Sequence, residues 1–215
     1  MANIYTIDYI RLNRKGLQVK DENGTWTDLH LNQGRLDGAC VVYSTTMALL
    51  CLGYIAADDL YDKRDARTPK GKLLNRFFNE QGLIRDGYSL KTMAKEIRSL
   101  CDDLVVDSVA KENCIYSIKD YVERGYPVIL RLKNEECDFD HAVLAIGTEY
   151  EGDENNEKLL KLFCLDPGYD SIIPSYWNCV IDTERHNAGE YPFWYITCKQ
   201  NFKVKIKEFI AIYQE

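Results

Sequence analysis

Gln33-Gly34-Arg35-Leu36-Asp37-Gly38-Ala39-Cys40, with the apolar run that follows as far as Gly53, is the stretch on which the reading of this chain turns. Cys40, Tyr43, Met47, Leu50 and Cys51 recur at helical spacing and Gly53 suits a C-cap, so the spacing predicts a buried helix that opens on a cysteine. Unpaired N–H groups and the positive end of the helix dipole gather at such a start and favour a thiolate over a thiol. A lone cysteine there is more often core packing than chemistry. As a nucleophile it needs an imidazole to hold an ion pair and to protonate a leaving amine, and a third group to orient that imidazole.

Working outward from Cys40, both partners are available. His141 stands in Asp138-Phe139-Asp140-His141-Ala142-Val143-Leu144, at the start of an otherwise apolar strand. Asp166 stands in Cys164-Leu165-Asp166-Pro167-Gly168, at the end of the next predicted strand. If strands over 142–147 and 159–165 form an antiparallel hairpin across the acidic tip 149–158, the start of one lies beside the end of the other, and His141 neighbours Asp166. Taken singly, His141 reads as a hydrogen-bonded strand-end histidine and Asp166 before Pro167 as a turn former.

The remaining segments set the expected frame. Alternation in the first thirty residues, with turns at Asn13 to Gly16 and at Glu22-Asn23-Gly24, predicts short strands and hairpins. Helices are expected over 71–80, 89–100 (with Ser89 as N-cap) and 113–124. Strands are expected from Pro127 through Leu132, and over 193–198 and 202–213. Helices first and strands afterwards suggest an α+β domain, a helix-rich N-terminal half packed on an antiparallel sheet. One domain over 1–215 is expected: N-terminal strands and hairpin 1–31, core 33–168 and C-terminal strands 169–215.

Composition narrows the function. Lys plus Arg 27 against Asp plus Glu 34 gives a net charge of −7, which repels a phosphate backbone and argues against nucleic acid as a partner. The eight cysteines include no C-x-x-C pair and the histidines number three, so neither a metal nor another cofactor is expected. The longest apolar stretch, 39–57, contains Ser44, Thr45 and Thr46 and reads as a buried helix, so no membrane span is expected. Asp8, Arg11 and Arg14 interrupt the place where a secretory signal needs its apolar run; the expected location is cytoplasmic, or outside the cell by a leaderless route.

Taken in order, these motifs resemble those of the papain-like cysteine peptidases. Gly38-Ala39-Cys40 matches the middle of their nucleophile signature, and Gln33 falls near the place of their oxyanion-hole glutamine. Within that group the chain is more similar to the peptidase domains that remove double-glycine leaders from bacteriocins, and to their stand-alone relatives. Those also carry Gly-x-Pro-Val-Ile (here Gly125-Tyr126-Pro127-Val128-Ile129), then His-Ala-Val, then Asp-Pro. The resemblance covers roughly residues 33–168. Gln33 precedes Cys40 by seven positions, one more than the family's usual spacing, and Val41 stands where Gly, Trp or Tyr is common.

The resemblance implies a papain-like fold and a Cys40, His141, Asp166 triad with Gln33 in the oxyanion hole, acting on a protein or peptide substrate. The same thioester chemistry also serves glutamine deamidation or transglutamination, and a non-catalytic peptide-binding module on that fold is a further reading. Lys199, Lys203, Lys205 and Lys207, alternating with Phe202, Val204 and Ile206, read as a protected edge or as a face for an acidic partner. The aromatics of 169–195 read as core or as a substrate groove.

Overall fold

The structure, a computed structural model, describes residues 2–34, 38–61, 65–80, 88–134, 140–152, 156–184 and 189–214. Arg35, Leu36, Asp37, Asp138 and Phe139 of the motifs lie outside the described residues, as do Cys137 and part of the acidic tip. In chain order the elements are β1 (Asn3–Thr6), β2 (Ile10–Asn13), β3 (Gly16–Lys20), β4 (Trp26–Asp28), α1 (Cys40–Cys51), α2 (Asp58–Tyr61) and α3 (Pro69–Asn75). A π-helical turn over Arg76–Glu80 extends α3. There follow α4 (Leu90–Leu100), β5 (Val105–Val109), α5 (Ile115–Glu123), β6 (Val128–Asn134), β7 (Asp140–Glu151), β8 (Lys158–Leu165), β9 (Cys179–Asp182), β10 (Phe193–Thr197) and β11 (Asn201–Tyr213).

These strands close on themselves. Antiparallel pairing runs from β6 to β7, β8, β9, β10, β11 and back to β6, a six-stranded barrel, with β1 added to β7 and β5 added to β11. The expected helix-rich, papain-like α+β layout is therefore corrected: the molecule is mostly this antiparallel barrel, and its helices are short. Two features account for the difference. The first half of the chain contributes five strands as well as helices, and β11 lies between β6 and β10, so the C-terminal strands complete the barrel instead of being appended to a core. Closure also depends on register breaks, with an extra residue at Ile146 in β7, at Leu160 in β8 and at Lys207 in β11, which bend strands that would otherwise stay in one open sheet.

At Gly147 the backbone of β1 comes so close that a Cβ would lie 2.6 Å from the Tyr5 carbonyl oxygen. Only glycine permits that approach.

Helix α1 explains why its sequence is apolar all round. It packs on β6 and β7 of the barrel on one side and on β3 of the small β2-β3-β4 sheet on the other, so eleven of its twelve residues are buried. A large apolar side chain buried in this way contributes roughly 1.5–3 kcal/mol. Two of the buried polar residues of α1 are accommodated by hydrogen bonds, Thr46 Oγ1 donating to the Val42 carbonyl at 2.8 Å and Ser44 Oγ to the Ala142 carbonyl at 3.2 Å, while Thr45 Oγ1 is buried without a partner. On α4 the Ser89 hydroxyl accepts from the Thr92 N–H at 3.1 Å, and Leu90, Met93, Ala94 and Ile97 face inward. Among the described residues no helix is long and apolar enough to cross a membrane.

Candidate active site

The N-terminal end of α1 meets the barrel where β7 begins and β8 ends. Cys40 is the first residue of α1, after Ala39, which carries no side-chain cap. His141 is the second residue of β7, paired across to Leu132 on β6, and Asp166 directly follows β8. Leu144 pairs with Leu165, so the antiparallel register brings the beginning of β7 to the end of β8. The His141 Nε2 lies 2.7 Å from Asp166 Oδ1. Cys40 lies near enough to His141 to raise the imidazole's pKa, and with Nε2 committed to the carboxylate the ring nitrogen left to face the sulfur is Nδ1. Ser44, one helical turn beyond Cys40, is bonded to Ala142, the neighbour of His141, and this strut ties the nucleophile's helix to the base's strand.

All three side chains are shielded from water: Cys40 is 7% exposed, the His141 side chain 11% and Asp166 0%. Burial opposes charge on His141, but hydrogen bonds to Asp166 and Cys40 and the charges of both outweigh it, and the imidazole is pushed up to about 10. Burial likewise opposes charge on Asp166. The hydrogen bond and charge of His141, with donors from Tyr195 and the Gly168 N–H, win and hold the carboxyl below its ordinary range. The site therefore holds a protonated imidazole between a carboxylate and a sulfur at neutral pH.

Asp166 is the most tightly held residue of the group. Its Oδ1 accepts from His141 and, at 2.6 Å, from the Gly168 N–H; its Oδ2 accepts from the Tyr195 hydroxyl. Pairing of β8 with β9 stops at Cys164 and Cys179, and beyond it the Asn178 side chain substitutes for a strand partner. Asn178 Oδ1 accepts from the Asp166 N–H at 2.7 Å, and Nδ2 donates to the Asp166 carbonyl at 2.9 Å. The same amide group reaches the carbonyls of Tyr169 and Asp170. His30 Nε2 donates to the Asp166 carbonyl at 3.0 Å, and burial, the largest influence on this ring, keeps its pKa low and the imidazole neutral.

Gln33 is placed beside this group through its backbone: its N–H donates to the Pro167 carbonyl at 2.8 Å, one residue beyond Asp166. Its side-chain Oε1 is buried without a hydrogen-bond partner. Tyr195, Asn178, His30 and Ser44 belong to the site and were not singled out by the sequence reading. Tyr195 entered it only as the last of the aromatics of 169–195, and Ser44 only as a polar residue of the apolar stretch 39–57.

Other candidate features take structural roles. Lys205 pairs with Glu190 and Glu112, and Lys207 with Glu112, so these charges are met by the chain's own carboxylates. Phe193 and Tyr195 are core residues, and Trp177 stacks on Phe163 with centroids 3.8 Å apart. Among the described residues no cluster of His, Cys, Asp and Glu is arranged to hold a metal. In comparison with known proteins, the chain matches no family model and no curated protein.

Proposed function

We propose that this chain is a cysteine peptidase that cleaves a peptide bond in a specific protein or peptide substrate. The observation that carries the reading is the shielded group at one helix start, where His141 is bonded to Asp166 and has Cys40 beside it. Such a constellation is recognised by geometry and roles, and it recurs on unrelated folds. In this mechanism the Cys40 sulfur, as thiolate beside the protonated His141, attacks the substrate carbonyl. The Cys40 N–H, with the Gln33 amide group, stabilises the oxyanion. His141 gives its proton to the leaving amine as the C–N bond breaks, leaving a thioester on Cys40. Water then adds with His141 accepting its proton, and collapse releases the acid and restores the thiolate. Asp166 keeps Nε2 protonated and Nδ1 facing the sulfur throughout.

The ordered motifs that resemble the double-glycine leader peptidases add a substrate class to this chemistry, a particular segment of a polypeptide. Stoichiometric labelling of Cys40 by a thiol-directed peptidase inhibitor, located by mass spectrometry, is the first expected result. The decisive one is a comparison of new peptide N-termini after a cell lysate is incubated with wild-type protein or with Cys40→Ala. Termini that depend on Cys40 support hydrolysis, and identical profiles refute it. A gain of about one mass unit on substrate glutamines, through the same thioester chemistry, assigns the site to deamidation instead.

A further inference from the structure

The Tyr195 ring is fully buried on β10, opposite Ile181 of β9 and Phe202 of β11, and stacks on Phe202 with centroids 4.8 Å apart. One strand, β9, separates it from β8, yet its hydroxyl reaches Asp166 Oδ2 at the end of that strand. With Oδ1 held by His141 and the Gly168 N–H, this contact occupies the one carboxylate oxygen those donors leave over. A carboxylate bonded through one oxygen can rotate about its Cβ–Cγ bond; one bonded through both cannot without breaking a bond. A donor to the charged form also favours that form.

We propose that Tyr195 is a positioning residue for the reaction, fixing the plane of the Asp166 carboxylate and keeping it ionised so that Oδ1 stays on His141. The proposal rests on the reading of Cys40, His141 and Asp166 as a catalytic set, and deepens it by naming a fourth group, which touches no substrate. Burial, with Cys179 and Asp166 nearby, raises the phenol's pKa far above its ordinary value, so the hydroxyl keeps its proton and acts as a donor at every pH where the protein works. Tyrosine at this position is more than core filling: phenylalanine fits the same volume and supplies no donor.

The test compares wild-type protein with Tyr195→Phe. Titration of the Asp166 carboxyl carbon by NMR should show its midpoint rising by about one pH unit on loss of one donor. The acid limb of Cys40 alkylation by iodoacetamide should move up with it. An unchanged Asp166 midpoint in folded Tyr195→Phe overturns the proposal. If wild-type Cys40 shows no enhanced reactivity at any pH, the peptidase reading fails, while the Asp166 titration still decides the role of Tyr195. A measurement on wild-type protein covers the case in which the variant does not fold. The Tyr195 hydroxyl proton should be protected from solvent exchange and should shift as Asp166 titrates; free exchange, or indifference to that titration, also overturns the proposal.

Discussion

Gly168→Ala is a small perturbation aimed at the centre of the site. A Cβ built on Gly168 lies 3.1 Å from Asp166 Oδ1, 3.6 Å from His141 Cε1 and 3.8 Å from His141 Nε2. Ordinary contact begins at 3.4 Å, so the methyl group is 0.3 Å too close to the carboxylate and otherwise fits. Gly168 has no left-handed backbone that would penalise alanine, so the overlap is the whole of the perturbation. Asp166 has little room to give way, because moving Oδ1 lengthens its 2.7 Å bond to His141 or its 2.6 Å bond to the Gly168 N–H. A misplacement of 1 Å in a catalytic group costs on the order of 100-fold, so 0.3 Å corresponds to about 4-fold on a logarithmic scale. The expected outcome is an approximately 4-fold slower alkylation of Cys40 at neutral pH. Overpacking of about 1–3 kcal/mol is partly offset by the 0.4–1 kcal/mol that alanine gains through the unfolded chain. A net loss near 1 kcal/mol lowers Tm by about 2–4 °C in a chain of this size. Alkylation kinetics followed by intact mass, with a thermal melt on the same sample, measure both. Wild-type values in both experiments would refute the claim that Asp166 and His141 are held to a few tenths of an ångström.

Three further outcomes follow from the geometry. Cys40 should be alkylated before Cys51, Cys101 and Cys179 in folded protein near pH 7: burial pushes those three thiols up, and peptide mapping gives the order directly. Asn178→Ala leaves the Asp166 N–H without its side-chain partner and the Asp166 carbonyl with His30 alone, which should cost about 1–3 kcal/mol in a denaturant titration, and more in Cys40 reactivity than a comparable loss elsewhere. The raised His141 contributes stability that is complete below pH 6.5 and lost as pH rises toward about 10, while the lowered Asp166 contributes stability present above its ordinary 3.8 and lost as pH falls through its lowered value. Wild-type protein should therefore exceed His141→Gln in stability most clearly between those limits, and turnover should decline as His141 deprotonates on the alkaline side.

What could be read from the sequence was local. The run from Cys40, the turns at Asn13 to Gly16 and at Glu22 to Gly24, and the Ser89 cap each depend on residues a few positions apart, and each appears in the structure. Cys40, His141 and Asp166 were legible because each sits at the boundary of such an element. The barrel was not, because it depends on one-residue slips in β7, β8 and β11 that no periodicity reports. Strands β5 and β9 also escaped notice: Val105–Val109 carries Asp107 and Ser108, and Cys179–Asp182 is only four residues long. Tyr195 reaches Asp166 across 29 positions and His30 across 136, distances at which only the folded chain supplies the relation.

The Asn178 clamp separates the geometry of Asp166 from the chain that follows it. Residues 167–177 leave the barrel at Asp166 and return at Asn178, and the amide that fixes the first also holds the Tyr169 and Asp170 carbonyls at the base of the excursion. With its two ends locked together and Gly168 kept against Asp166, the part of this segment beyond Asp170 can be exchanged as a cassette. Its outer part, where Ile172 and Ile173 are exposed, can be shortened, lengthened or replaced with the carboxylate left in register. Selection, or a protein engineer, can thus alter what approaches this end of the barrel through a single interchangeable loop, with the reactive groups inherited intact.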